Sequence, residues 1–334
     1  MAVKTIPIVP LCEMTIGQEA DLFALLSARE ELTTRDGKPY FKVSFRDDRR
    51  EVSFPVWNDS PWAADCKQNW QAGDFYKLRA VYRETNYGPQ LDLKRIRPIL
   101  DTDAADGFDP LMFQPRSRYE PARMFEQLIE TATAKIGDAA LRNVVLELLA
   151  AYRETLLTLP AATRNHHAFV GGWLEHVRSV AQNASYFAEK YAEYYPDLNP
   201  PLNKDLVVAG AILHDIGKVR ELEQSSQGTE YTEAGNLIGH IVQGRDLVRE
   251  TPAAKQLDPE TLLRLEHIIL SHQRLPEWGS PKPPMTPEAL LVHYADDLDA
   301  KFNMVFSILR DHTGEAFMTT KKNILMQPLY RGKA

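Results

Sequence analysis

The sequence predicts a multidomain chain of α and β structure, with a small β-barrel at the N-terminus followed by an all-α domain. Three observations predict it. The chain has 334 residues, more than one core ordinarily organises, so two domains are the natural expectation. Hydrophobicity alternates with period two in stretches of the first hundred residues and takes helical spacing from Tyr119 onward. Between these regions, residues 101–118 (DTDAADGFDPLMFQPRSR) are rich in acids, Gly and Pro and keep neither period, which reads as a linker. The expected domains are 1–100 and 119–318, with 319–334 as a C-terminal tail.

The barrel rests on four strands. Tyr40–Arg46 (YFKVSFR) and Glu51–Trp57 (EVSFPVW) both alternate, and the polar DDRR between them makes a hairpin connection. A third strand, Phe75–Tyr82, follows Gly73-Asp74. The turn Asn86–Pro89 then leads into Gln90–Ile96. Short strands with turns at this spacing point to a small barrel. Phe41, Val43 and Phe45 share one face, as do Val52, Phe54 and Val56, and these are the core faces. Tyr40, Lys42, Arg46 and Trp57 then point outward. Rings beside cations are what a single-stranded nucleic acid needs, since bases stack on rings and phosphates meet Lys or Arg. Arg49-Arg50 reads as a solvated hairpin tip.

In the second region, Met124, Leu128 and Ile129, then Leu141, Val144, Val145, Leu148 and Leu149, keep helical spacing. Trp173–Tyr195 is another helix, with Val177, Val180, Ala181, Ala184, Phe187 and Ala188 inward. Leu206–Asp215 reads as a buried helix stopped by Gly217. Thr286-Pro-Glu288 is a helix start: an N-cap hydroxyl, Pro at the first helical position, an acid in the first turn. The helices between Met124 and Tyr152 can pack in cis or against a second chain, so a homo-oligomer stays open. The stretch after Asn303 carries no motif, and Thr319–Lys322 reads as solvated surface.

Bulk composition excludes some classes. Hydrophobic residues are 44% and charged residues 25%, an ordinary globular balance. The apolar run Leu206–Leu213 is far shorter than the roughly 20 residues a membrane span needs. The N-terminal residues lack a long apolar segment and a small-residue cleavage site, so no signal peptide is expected. Cys12 and Cys66 are the only cysteines, which fits a reducing, cytoplasmic setting and no disulfide framework. Net charge is −7, mildly against a general nucleic-acid binder. It is uneven: residues 1–100 hold 15 Lys/Arg and 14 Asp/Glu, the rest 24 and 32.

The chemistry sits in the helical region. Eight of nine histidines lie between His166 and His293, and none lies in the barrel. His176, His214-Asp215, His240, His272 and Asp296 fall at helix-compatible places beside acids. Imidazole and carboxylate together suit a divalent ion such as Mn²⁺ or Fe²⁺, and the absence of nearby thiols argues against structural zinc. His214-Asp215 follows seven apolar or small residues, Val207–Leu213. A carboxylate at that depth is costly unless paired or metal-bound, and its two oxygens can bridge two ions. Two metals about 3.5–4 Å apart would stabilise both oxygens of an in-line phosphoryl displacement. Lys218, one turn past His214, either brings a positive charge to a phosphate oxygen or complements the negative end of its helix.

The ordered set resembles the HD-domain superfamily, and more narrowly the bacterial YhaM-type 3′-5′ exoribonucleases. The matching stretches are His166–His176 (HHAFVGGWLEH), Ala209–Lys218 (AGAILHDIGK), Gly239-His240, Ile269–His272 (ILSH), Gly279–Thr286 (GSPKPPMT) and His293–Lys301 (HYADDLDAK). The last two carry most of the specificity. The resemblance implies an OB-fold joined to an all-α HD domain. It implies that His176, His214, Asp215 and Asp296 ligate metal, with Asp215 the bridge, and that His240 and His272 complete a two-metal set. Asp299 either ligates or orients a ligand. His166, His167 and Lys282 would sit near substrate. The implied activity is a metal-dependent 3′-5′ exonuclease on single-stranded RNA, with DNA as an alternative, Asp215 and Lys218 at the reacting centre. Two ions are implied, Mn²⁺ first, with Fe²⁺, Co²⁺ and Mg²⁺ as alternatives. Two other functions compete: an HD phosphohydrolase for a small nucleotide or cyclic dinucleotide, and a non-catalytic nucleic-acid-binding protein.

Overall fold

The computed structural model describes residues 6–34, 36–86, 88–225, 228–312 and 316–332. Tyr87, within the turn expected at Asn86–Pro89, and the first five and last two residues lie outside them. The chain divides into two compact units, Met1–Pro115 and Arg116–Ala334.

The first unit is built from β1 (Glu19–Thr33), β2 (Pro39–Arg46), β3 (Glu51–Trp57), α1 (Ala63–Gln68), β4 (Phe75–Thr85) and β5 (Gly88–Pro98). All pairings are antiparallel, in the order β3-β2-β1-β4-β5. β3 lies against β5, which closes the sheet into a five-stranded barrel with α1 between the third and fourth strands, the OB arrangement. β1 makes closure possible. Its first half pairs with β4 and its second half with β2, and the register slips between Leu26 and Ala28. A bulge there bends the strand so that it serves both sides. Period-two reading did not anticipate this strand. Phe41, Val43, Phe45, Val52, Phe54 and Val56 are buried as expected, and Phe45 meets Trp70 and Tyr76 edge-on.

Two expectations are corrected here. The stretch 101–118 is not a free linker. Asp103 is buried, and its carboxylate accepts from Arg97 at 2.6 and 2.7 Å and from Lys77 at 3.1 Å. Phe108 and Phe113 pack on Phe75, with centroids 5.4 and 4.9 Å away. The acids and aromatics of this stretch thus belong to the first unit as far as Pro115. Nor is Arg50 a solvated tip. It donates to the carbonyls of Leu11 and Met14 and lies 4.9 Å over the Tyr82 ring, while buried Asp47 accepts the amides of Cys12, Arg49 and Arg50.

The second unit holds α2 (Pro121–Lys135), α3 (Ala139–Ala151), α4 (Arg153–Thr158), α5 (Gly172–Tyr194), α6 (Lys204–Leu213), α7 (Lys218–Glu221), α8 (Glu233–Leu237), α9 (His240–Glu250), α10 (Pro259–Ser271) and α11 (Pro287–Arg310). Its two-stranded sheet is the hairpin of β6 (Leu222–Ser225) and β7 (Gly228–Tyr231). α6 is apolar all round from Leu206 onward and fully buried, as a helix at the centre of a bundle must be. α5 and α11 pack on it and on each other. No described helix is long and apolar enough to cross a membrane. Thr319 is buried, exchanging hydrogen bonds with Leu329, so only the rest of Thr319–Lys322 is surface.

Candidate metal centre

Five helices deliver the site residues. His176 stands in the second turn of α5, on the buried face. His214 caps the C-terminus of α6, and Asp215 follows it. His240 opens α9, His272 caps the end of α10, and Asp296 lies midway along α11. Gly217 makes the arrangement possible: a Cβ there would lie 1.9 Å from the His240 carbonyl oxygen. Only glycine lets α9 approach the end of α6 so closely. Gly172 plays the same part for the preceding loop, where a Cβ would lie 1.9 Å from the His167 carbonyl.

The donor atoms fall into two groups, His176, His214 and Asp296 in one and Asp215, His240 and His272 in the other, each within 4.8 Å. Asp215 joins them. Its Oδ2 lies 3.7 Å from His176 Nε2 and 3.5 Å from His214 Nε2. Its Oδ1 lies 3.3 Å from His240 Nε2 and 3.5 Å from His272 Nε2. One oxygen of one carboxylate thus faces each group.

The far side of every imidazole is tied down. His214 Nδ1 meets the Ala211 carbonyl at 2.8 Å, and His272 Nδ1 the Ile269 carbonyl at 2.7 Å. A carbonyl only accepts, so these Nδ1 atoms carry the proton and the Nε2 lone pairs face inward. His176 Nδ1 is 2.7 Å from Asp299 Oδ2, and His240 Nδ1 is 2.9 Å from Glu221 Oε1, the carboxylate-backed form typical of metal-ligating histidine. Asp299 therefore orients His176. Glu221 does the same for His240, and nothing in its sequence context beyond an acid near Lys218 pointed to it.

The residues fit divalent cations. Asp215 Oδ1, His240 Nε2 and His272 Nε2 are all buried without a hydrogen-bond partner, a costly condition that a bound ion relieves. His214 Nε2 and His176 Nε2 sit 3.3 Å apart, where two lone pairs repel unless a proton or cation lies between. Burial opposes a charge on His176, but Asp296 and Asp299 outweigh it and lift its pKa to about 10. Burial holds His214 down to about 4. Burial would raise Asp215, yet Lys218 and the surrounding imidazoles keep it well below the usual carboxylate range.

The other expected site residues divide. Lys218 Nζ donates to Asp215 Oδ2 at 2.6 Å and to the Ala161 carbonyl at 2.5 Å, so its charge is committed inside the protein and does not project toward a substrate. His167, expected beside substrate, is buried, with Nε2 3.0 Å from Asp299 Oδ2 and its amide donating to Asn303 Oδ1. It braces Asp299. His166 lies with its ring 5.2 Å from that of His176, and its Nδ1 is buried and unpartnered. It lines a cleft of about 390 Å³ together with His272, His293 and Asp296. Lys282 is exposed in the loop before α11, outside the residues lining that cleft. In the barrel, Tyr40 and Trp57 pair at 5.0 Å, with Trp57 and Lys42 exposed. Arg46 is corrected: it donates to the Phe113 and Asp47 carbonyls and pins the chain end of its own unit.

With this geometry in place, residues 173–301 match the HD domain family. The chain is 34% identical over 297 residues to the 3′-5′ exoribonuclease YhaM of Bacillus licheniformis, covering 87% of each. A domain of replication protein A from Methanococcus maripaludis is similar to 28% of this chain and 94% of its own, at 12% identity and a TM-score of 0.23. The second OB-fold domain of replication protein A from that organism matches the same shares, at 15% and 0.22.

Proposed function

We infer the function from one premise: the chain belongs to the YhaM-type 3′-5′ exoribonuclease family. It is a metal-dependent phosphodiesterase acting as a 3′-5′ exonuclease. The substrate is single-stranded RNA, with single-stranded DNA as a second, and the products are nucleoside monophosphates. The observation that carries this reading is Asp215, with one buried oxygen in each of two histidine groups. That is the donor set for two adjacent ions.

His176, His214 and Asp296 would hold one ion, His240 and His272 the other, and Asp215 both. Mn²⁺ suits the nitrogen and oxygen donors best, with Fe²⁺, Co²⁺ and Mg²⁺ as alternatives. Bound there, the ions supply positive charge to the scissile phosphate and to the leaving oxygen. The protein's own part is positioning. The fixed Nδ1 protons keep four Nε2 lone pairs aimed inward. Asp299 and Glu221 stop His176 and His240 from rotating. Lys218 neutralises Asp215 and fixes its plane. The cleft beside Asp296 admits a strand end, and His166 forms part of its wall. Tyr40, Trp57 and Lys42 on the barrel give a stacking and phosphate surface for the strand. The free thiols Cys12 and Cys66 support a reducing, cytoplasmic location.

The test is a 5′-labelled oligoribonucleotide incubated with purified protein and Mn²⁺. Stepwise shortening from the 3′ end with release of monophosphates is expected, and Asp215→Asn, still folded, should abolish it. Metal-loaded protein that leaves the label at full length overturns the reading.

A further inference from the structure

The cleft beside Asp296 has two chemically different sides. His166, His272 and Asp296 present nitrogen and carboxylate groups, whereas Trp278, Met304 and Leu325 present apolar surface. Trp278 is the unexplained member. Trp70 and Trp173 are fully buried, and Trp57 pairs with Tyr40. Trp278 is 53% exposed, and among the described residues no ring or cation is recorded against its indole. It stands at the end of a single 3₁₀ turn, Pro276–Trp278, anchored by its amide on the Leu275 carbonyl. It is also the one indole, phenyl or phenol ring among the described residues that line the cleft.

We propose that Trp278 is the platform on which the base of the 3′-terminal nucleotide stacks. This rests on the exonuclease reading. A strand end whose phosphodiester lies at Asp296 and Asp215 must place its terminal base within the same cleft, and about 390 Å³ lies in the range of small-ligand clefts, roughly 300–1,000 Å³. The apolar side takes the base and the polar side takes the phosphate. Every base has a π-face, so the contact is tolerant of sequence. Trp278 thus sets substrate affinity by ring area and selects strand ends that are unpaired, because a base stacked in a duplex is not free to turn onto it.

The experiment compares wild type, Trp278→Ala and Trp278→Phe on one oligoribonucleotide and on the same oligomer with an abasic 3′-terminal residue. On the intact oligomer, Trp278→Ala should raise KM roughly 5- to 150-fold, the range for loss of one base–ring stack. Trp278→Phe should recover most of that. On the abasic oligomer the gap between wild type and Trp278→Ala should collapse. Equal KM for wild type and Trp278→Ala on the intact oligomer, or an equal gap on both oligomers, overturns the platform while leaving the exonuclease reading in place. A wild-type enzyme that shortens neither oligomer overturns the exonuclease reading, and the platform with it.

Discussion

Lys218 is 6% exposed and its ammonium has two partners, the Ala161 carbonyl and Asp215 Oδ2. Breaking a buried ion pair by removing one partner costs about 3–5 kcal/mol. Lys218→Met, which keeps an unbranched apolar stem and removes the ammonium, should therefore lower the melting temperature of the metal-free second unit by on the order of 10 °C. Excess Mn²⁺ should restore much of it, because a ligand bound to the native state alone stabilises by mass action. Differential scanning calorimetry with and without metal checks this, and an unchanged metal-free melt contradicts the pairing. The six clustered residues were legible as a motif, since residue type and order survive in sequence. The roles of Lys218, His167 and Arg46 were not. His167 and Arg46 were assigned to the substrate and Lys218 either to a phosphate oxygen or to its own helix end, and each is taken by a carbonyl or carboxylate that only the fold brings near.

At the scale of elements, β1 shows what a local pattern hides. Its sequence, EADLFALLSAREELT, is rich in Ala, Leu and Glu, all good helix formers. It becomes a strand because β2 and β4 pair with it on both sides, a tertiary choice that overrides propensity. The stretch 101–118 misled in the opposite sense: without either period it read as a linker, but its Asp103 is buried in an ion cluster with Arg97 and Lys77. The Arg97 guanidinium holds Asp103 well below the usual carboxylate range, with the Leu100 amide and Lys77 acting the same way and burial opposing them. A carboxyl depressed on folding contributes stability above its unfolded value near 3.9, and loses it as pH falls below that toward the folded value. Asp103→Asn should thus melt lower than wild type at pH 7, with the gap narrowing between about pH 4 and pH 2. A gap of constant size in melts across that window would show that Asp103 does not titrate as a folded-state ion pair.

At the scale of the molecule, the corrected boundary changes the charge argument. Asp101, Asp103, Asp106 and Asp109 belong to the first unit, which therefore carries 15 basic and 18 acidic residues against 24 and 28 in the second. The contrast between a near-neutral barrel and an acidic catalytic half disappears, so long-range attraction cannot be what the barrel adds to substrate capture. What remains particular to it is the Tyr40–Trp57 pair, half-buried Tyr40 against exposed Trp57, with exposed Lys42 on the same strand as Tyr40. Each unit has its own core, and both donor groups lie wholly in the second. A chain of residues 116–334 should accordingly fold, bind metal and hydrolyse bis(4-nitrophenyl) phosphate, a diester with no strand to hold. On an oligoribonucleotide its KM should rise at least about fivefold, the expected loss of one or two base–ring stacks at roughly 1–3 kcal/mol each. Steady-state kinetics on both substrates decide between the two hydrolase readings. A truncated chain as effective on the oligomer as the full chain would mean that the barrel holds no strand, and would move the assignment toward a phosphohydrolase of small nucleotides, which needs the same six donors and nothing from the first unit.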